Sequence, residues 1–400
     1  MSRFGACLLL VASSTLSFDA AAQVNISGYL KNYTIVSDEI DNGPLQLDRT
    51  YRMQNIGRFM VDAFDDNKVW QLHYEAGIDS TTAAIDAGQS FFSSERNNYR
   101  LTDIDSTIGP DIRKSVVPQN LDRLNVQLQY DSGDLTIGRQ AITFGSARII
   151  NPTDVFLPFD VRTLNTEYRI GVDAVRFQKP IGQLGELDVG VILGEDGKPK
   201  NSAAFVQLLT NYSGNDYQFT AMRFADQNLL GAGIQSALGS LGFWLEAAHV
   251  SGDEDYARVS IGLDYAFTER VFGMIEYHFN EAGAQKPAEY IELLDDKAYT
   301  DGGVFLLGQN YLIPSTSWQA STLLSLSVQS LINLDDDSVF FSLNGEYSLS
   351  DNLYMGMGYY HFLGDELDFL ANLPAQEQMQ FGSEYGNNPN SLYVNLRYYF

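Results

Sequence analysis

The chain of 400 residues carries 51 Asp and Glu against 25 Lys and Arg, a formal net charge of −26, together with 24 Phe, 23 Tyr and 3 Trp. Acidity on that scale excludes the basic footprint of a nucleic-acid partner. The single cysteine is Cys7, inside a segment that reads as cleaved on export. The exported chain then has no disulfide, no thiolate nucleophile and no cysteine metal site.

Residues 1–22 read as a secretory signal: Arg3, an apolar and small-residue run, then an Ala-x-Ala site at Ala20 to Ala22. Cys7 stands too early for a lipoprotein attachment site. Beyond residue 22 no apolar run approaches the roughly 18 to 20 residues of a membrane helix. Two classes stay open for such a chain, a soluble periplasmic protein and a membrane-spanning β-barrel. Strand parity decides between them.

Runs of about ten residues with period-two alternation recur from residue 24 to the end, and no convincing amphipathic helix interrupts them. The first reads "VNISGYLKNYTIV" (24–36), the second "TYRMQNIGRFMVDAF" (50–64) and the third "KVWQLHYEAGID" (68–79). Tight turns of Gly, Asp, Asn and Pro follow at 65–68, 131–134, 213–216, 238–240, 268–270 and 350–352, with longer members at 180–186 and 314–317. The alternate connections are long at 80–120, 143–169, 281–303 and 363–389, and minimal near 226. All 11 prolines are expected in connections or at strand ends, as a hydrogen-bonded ladder requires.

The last run, "SLYVNLRYYF" (391–400), sets Leu392, Val394, Leu396, Tyr398 and Phe400 on one face. On the same apolar face, beside the short turns, fall Trp70, Tyr130, Tyr217, Tyr265, Phe267 and Tyr347. At its other end fall Tyr51, Tyr277, Phe279 and Tyr359. Two aromatic belts about one bilayer apart are what membrane interfaces select. A soluble sandwich also alternates but would not sort its rings to strand ends, and no repeat of propeller-blade length is visible. The reading is therefore all-β: residues 23–400 form a transmembrane antiparallel up-and-down β-barrel of about 18 strands, with short periplasmic turns and long extracellular loops.

Two stretches resemble the outer-membrane porins of Gram-negative bacteria. "NLRYYF" is similar to the terminal aromatic strand read by the barrel-assembly machinery. "DLTIGRQAITFG" (134–145) is similar to the porin strand that carries Gly-Arg-Gln before the loop that folds into the pore. The strand number is also similar to that of carbohydrate-specific porins and alginate exporters, although the acidity of this chain argues against an anionic polymer as cargo. The resemblance implies an outer-membrane location, lipid and lipopolysaccharide as surroundings, and small polar solutes as cargo. Association of three barrels is left open.

Parity places Lys31, Arg52, Arg58, Arg123 and Arg176 on the polar, lumen-facing side, with Arg397 of the last strand beside them after closure. Sixteen of the 24 basic residues beyond position 22 lie between Lys31 and Lys179, so a basic wall is expected. Glu246, Asp264, Glu276, His278 and Glu346 have the same parity on strands 11, 12, 13 and 16, which forms an acidic wall opposite. The two would set up a transverse field, or simply pair with neighbours and keep the lumen wet. Alternation from Ile137 points Arg139 toward lipid, and a bulge at Gly138 is expected to turn it inward, as the porin resemblance implies. The connection 143–169 is the candidate constriction loop. Its Ile149, Ile150, Val155, Phe156, Leu157 and Phe159 ask for an inner wall to pack on, and Arg148, Asp154, Asp160 and Arg162 would line the narrowest point. The loop 80–120 competes for this role but is more polar.

Asp253-Glu254-Asp255 and Asp335-Asp336-Asp337 read as solvated loop tips or as weak divalent-cation sites bridging to lipopolysaccharide. No spacing resembles a calcium loop, so neither a metal nor a cofactor is expected. Of His73, His249, His278 and His361, His73 and His278 point to the lumen and His249 has outward parity near Ser251, without an evident third group, so no catalytic residue is assigned. The function expected is a passive diffusion channel for small hydrophilic solutes. A substrate-specific transporter or saccharide exporter is the alternative, and loop-mediated adhesion a distant one.

Overall fold

The structure, a computed structural model, describes residues 23–42, 45–86, 99–102, 112–156, 164, 167–369 and 379–400. The segment read as a signal lies outside them. Eighteen antiparallel strands form one closed barrel. They are β1 Gln23–Ser37, β2 Thr50–Asp65, β3 Lys68–Asp86, β4 Gln119–Tyr130, β5 Gly133–Gln140, β6 Val172–Ile181, β7 Gly185–Ile192, β8 Ala203–Tyr212 and β9 Asn215–Phe224, then β10 Gln227–Leu238, β11 Leu241–Ser251, β12 Tyr256–Thr268, β13 Val271–Asn280, β14 Asn310–Gln319, β15 Leu324–Asn333, β16 Val339–Ser350, β17 Leu353–Leu363 and β18 Ser391–Tyr399. Each pairs with the next, and β18 pairs with β1 from Tyr29 opposite Tyr399 to Ser37 opposite Ser391. Closure leaves no free edge in a medium that offers no hydrogen bonds.

The barrel is oily outside and polar within. Ile26, Leu30, Leu230 and Leu363 are each at least half exposed, whereas Arg58, Glu75, Asp79, Glu246 and Glu276 are buried. Trp70, Tyr130, Phe267, Tyr347, Tyr398 and Phe400 are exposed at the short-turn end, with Tyr51 and Tyr359 at the other. Tyr217, Tyr265, Tyr277 and Phe279 are half-buried.

Two details differ from the sequence reading. Residues 314–317 are not a turn but lie inside β14. Pro314 pairs in register with Ile275 of β13, yet the ladder to β15 is interrupted between the pairs Leu312–Ile332 and Ser315–Gln329. A residue without an N–H can occupy a strand only by giving up a ladder bond. The actual turn spans 320–323. The other difference is in the connection after β13, which contains two single-turn helices, α1 Tyr290–Leu293 and α2 Lys297–Thr300.

Closure depends on Gly28. Its N–H donates to the Phe400 carbonyl at 2.9 Å and its carbonyl accepts from the Phe400 N–H at 3.0 Å. A Cβ there would lie 2.2 Å from the Arg58 carbonyl oxygen and 2.6 Å from Cζ of the Phe400 ring. Gly28→Val is expected to cost on the order of 3 kcal/mol through overpacking at the seam. It should reduce the heat-modifiable folded band and the urea midpoint. Gly57→Ala, whose nearest neighbour would be Leu30 Cδ2 at 3.4 Å, should leave both near wild type.

Candidate functional site

After β5 the chain turns into the barrel, and residues 143–156 lie against the inner face of β8 to β15. Apolar packing holds them in part. Phe144, Val155 and Phe156 join Phe205, Met222, Phe224, Leu229, Val250 and Tyr256, while Ile149 and Ile150 join Leu306, Tyr311, Ile313, Leu331 and Phe340. Two glycines on β10 make room for this approach. A Cβ on Gly231 would lie 2.2 Å from Thr153 Cγ2, and one on Gly233 would lie 2.1 Å from Ser146 Oγ.

The polar half of the attachment rests on two wall carboxylates. Glu246 of β11 accepts from the N–H groups of Ser146 (2.5 Å) and Ala147 (2.8 Å) on Oε2, and from the Thr153 backbone N–H (2.9 Å) and hydroxyl O–H (2.7 Å) on Oε1. Glu276 of β13 accepts the N–H groups of Arg148 (3.2 Å), Ile149 (3.2 Å) and Ile150 (2.8 Å), and the Trp244 indole N–H at 2.7 Å. A non-helical turn inside a barrel has amides with no ladder partner, and a carboxylate is the acceptor that binds several at once. Both glutamates are covered by the chain that they hold. His278 contributes one step removed. Ser260 Oγ donates to the Ile150 carbonyl at 2.6 Å and lies 2.8 Å from His278 Nδ1. With the hydroxyl proton committed to the carbonyl, Nδ1 must carry the donor hydrogen. Arg258, also buried on β12, donates to the Pro152 carbonyl at 3.4 Å.

The returning limb reaches the opposite wall. Glu167 lies 2.9 Å from Lys31 Nζ and accepts from Arg397 at 3.3 Å and from the Tyr399 hydroxyl at 2.5 Å. Burial would raise its pKa, but Lys31, the Tyr399 hydroxyl and Arg397 together hold it below the usual Glu range. Its folded value is depressed, so this attachment is complete at neutral pH and is lost only as pH falls through that lowered value. Tyr168 packs on Tyr29, with the Arg58 guanidinium 4.1 Å from its ring centre. Arg169 binds Asp154 of the first limb at 2.8 Å, and its carbonyl accepts from Arg123 at 2.8 Å. The loop is thus fastened to both sides of the barrel. Asp160, Arg162, Leu157 and Phe159 lie outside the described residues.

Each arginine and lysine expected on the basic wall has a carboxylate. Arg52 Nε donates to Asp79 at 2.8 Å, Arg58 binds Asp122 with Glu75 at 3.6 Å, and Arg123 binds Asp122 at 2.8 Å. Arg176 Nε donates to Asp188 at 2.9 Å, and Arg397 binds Glu346 as well as Glu167. Asp264 lies 3.5 Å from Arg148, whose half-exposed side chain projects from the loop over Trp244. Glu75 and Asp79 share the inward parity of β3, so their role was readable by aligning β2 with β3. Asp122 was not readable. His73 pairs with Arg123 and Tyr74 with Leu121, leaving Asp122 as the extra residue of a bulge, so that two successive side chains are buried.

That bulge lies one strand before the expected one. At Gly138 (φ +117°) the register runs unbroken through Asn125–Gly138 and Leu124–Arg139. Arg139 stands directly across from Asp173 on β6, donates to it at 2.8 Å and to the carbonyls of Leu121 (3.0 Å) and Thr102 (2.8 Å), and is buried. The outer acidic runs also bind chain rather than standing free. Glu254 accepts the N–H groups of Lys297 (2.7 Å) and Ala298 (2.9 Å) at the start of α2, and Asp335 accepts those of Gln309 (2.6 Å) and Asn310 (2.7 Å). Asp255 lies 3.7 Å from His249 Nε2, a third group the sequence did not suggest. No hydrogen bond joins His249 to Ser251 among the described residues.

Comparison with solved structures finds this architecture in outer-membrane channels. The OccAB4 structure of Acinetobacter baumannii superposes with a TM-score of 0.57 at 8% identity, over 94% of this chain and 98% of that one. OccK8 (OprE) of Pseudomonas aeruginosa gives 0.56 at 8% over 94% and 98%, and OccK7 (OpdD) of the same organism 0.56 at 10% over 95% and 99%. The fold is that of the outer-membrane porins. No protein-family model and no curated protein matches the chain.

In this porin fold Glu246→Ala and Glu276→Ala each strand buried amide donors. Each is expected to cost on the order of 3 kcal/mol, lower the urea midpoint and raise the mean and the noise of the single-channel current. A current trace and midpoint equal to wild type would show that the loop does not depend on these carboxylates.

Proposed function

We propose that the protein is a passive diffusion channel of the outer membrane for small hydrophilic solutes, favouring cations and neutral polar molecules over anions. The closed 18-strand barrel supports the channel, since a barrel of that size encloses water once its lumen is polar. Residues 143–156 and 167–169, held on opposite walls, make the connection 143–169 the natural constriction, with Arg148 and Asp264 beside the passage. The lumen-facing arginines set local geometry more than net field, because their charges are balanced by Asp79, Asp122, Asp188 and Glu346.

One observation carries the selectivity. Inward-facing carboxylates near the short turns on β2, β5, β7 and β9 are bridged by side-chain amides rather than by Lys or Arg, with His73 Nε2 also 3.2 Å from Asp62. Asp62 accepts from Gln71 at 3.1 Å, Asp134 from Gln127 at 2.8 Å, Glu186 from Gln178 at 3.0 Å and Asp216 from Asn211 at 2.8 Å. Among the described residues no Lys or Arg lies within ion-pair distance of any of the four. Their uncompensated charge at one mouth concentrates cations and repels anions. Delivery through the assembly machinery by the C-terminal strand belongs to the same reading.

Reversal potentials in a salt gradient test it. Wild type is expected to prefer cations. The combined Asp62→Asn, Asp134→Asn, Glu186→Gln and Asp216→Asn variant should at least halve the cation-to-anion permeability ratio. The preference should shrink between 0.1 M and 1 M salt, as the screening length falls from about 10 Å to about 3 Å. Anion selectivity of the wild type would overturn the proposal.

A further inference from the structure

The lipid-facing side of β1 and β2 carries a polar pair. Asn32 and Asn55 stand directly opposite in the ladder, on the face of Leu30, Met53 and Leu396, and Asn32 Nδ2 donates to Asn55 Oδ1 at 2.8 Å. Asn32 is flanked on its other side by Leu396 and Asn55 by Ile78, both exposed. Along β2, Asn55 lies midway between Tyr51 and Phe59. Four residues of a tilted strand place it roughly 10 Å below the Tyr51 ring, near the middle of a hydrocarbon belt about 25 Å tall.

Two side-chain amides hold four N–H donors and two carbonyl acceptors. The single bond between them leaves the Asn55 NH2, one N–H of Asn32 and the Asn32 carbonyl without a partner among the described residues. Acyl chains offer none, and water is absent at that depth. What remains on the pair is complementary to the pair itself: a two-fold operation brings the Asn55 NH2 of one chain to the Asn32 carbonyl of the other. Gly57 and Ala76 lie beside it in register, small residues that leave room for a second surface to approach between Leu30, Met53, Ile78 and Leu396. From this we infer that the β1–β2 face, centred on Asn32 and Asn55, is a self-association surface for a second copy of this chain. An isologous contact of this kind yields dimers, whereas a three-fold assembly joins unlike faces.

Cysteine cross-linking in intact outer membranes tests the contact. Thr34→Cys, exposed on β1 beside the pair, is compared with Val206→Cys, exposed on β8, each with Cys7→Ser. The expected result is a disulfide-linked species of twice the chain mass from Thr34→Cys and little from Val206→Cys. Adding Asn32→Leu and Asn55→Leu should lower its yield roughly tenfold, about the size of one or two buried hydrogen bonds in lipid. Heat-modifiable migration and single-channel conductance should stay as in wild type, which separates loss of contact from loss of fold. Equal cross-linking from both positions, capture of a protein of another mass, a yield indifferent to the leucines, or no cross-link would each overturn the inference.

Discussion

A carboxylate that accepts main-chain amides is the interaction on which the interior of this barrel depends. An antiparallel barrel satisfies its own backbone, but a loop folded into the lumen arrives with amides that no ladder will take. Glu246 and Glu276 take them on one wall, and Glu254 and Asp335 do the same for the connection around α1 and α2. Part of the acid excess is thus structural.

The charged residues that parity assigns to two walls are engaged in ion pairs and in holding chain, which differs from a bare transverse field. The basic side is neutralised residue by residue by Asp79, Asp122 and Asp188, and the acidic side is largely covered by chain. Each wall grips one limb of the same loop: glutamates hold amides on one side, while Lys31 and Arg397 hold Glu167 on the other. The asymmetry between the halves of the chain is therefore matched by what each limb offers, bare amides to the acids and a carboxylate to the cations. Arg169 and Asp154 tie the two limbs to each other.

Period two carried the fold because every strand of a barrel in lipid has one oily and one wet face, and the sign of that alternation is independent of tertiary detail. The sequence reading did not name Glu75, Asp79 or Asp188, although their parity on β3 and β7 and the register of neighbouring strands contain that pairing. It failed where the ladder is irregular. Asp122 enters the lumen through a bulge with no local signature, and Pro314 sits in a strand that forgoes a bond to keep it. Parity also says which way a side chain points, but not what will cover it. Glu246 and Glu276 were visible as inward acids, and their amide partners were not, because those belong to a loop some hundred residues earlier.

A strap buckled at both ends behaves unlike a flap hinged at one. Residues 143–156 cannot leave one wall while Glu246 and Glu276 hold their amides, nor residues 167–169 the other while Glu167 stays with Lys31 and Arg397, so the two attachments open as separate steps. Conductance of such a pore should be quantised into a few discrete levels, and a solute slightly too large would be refused outright instead of being slowed.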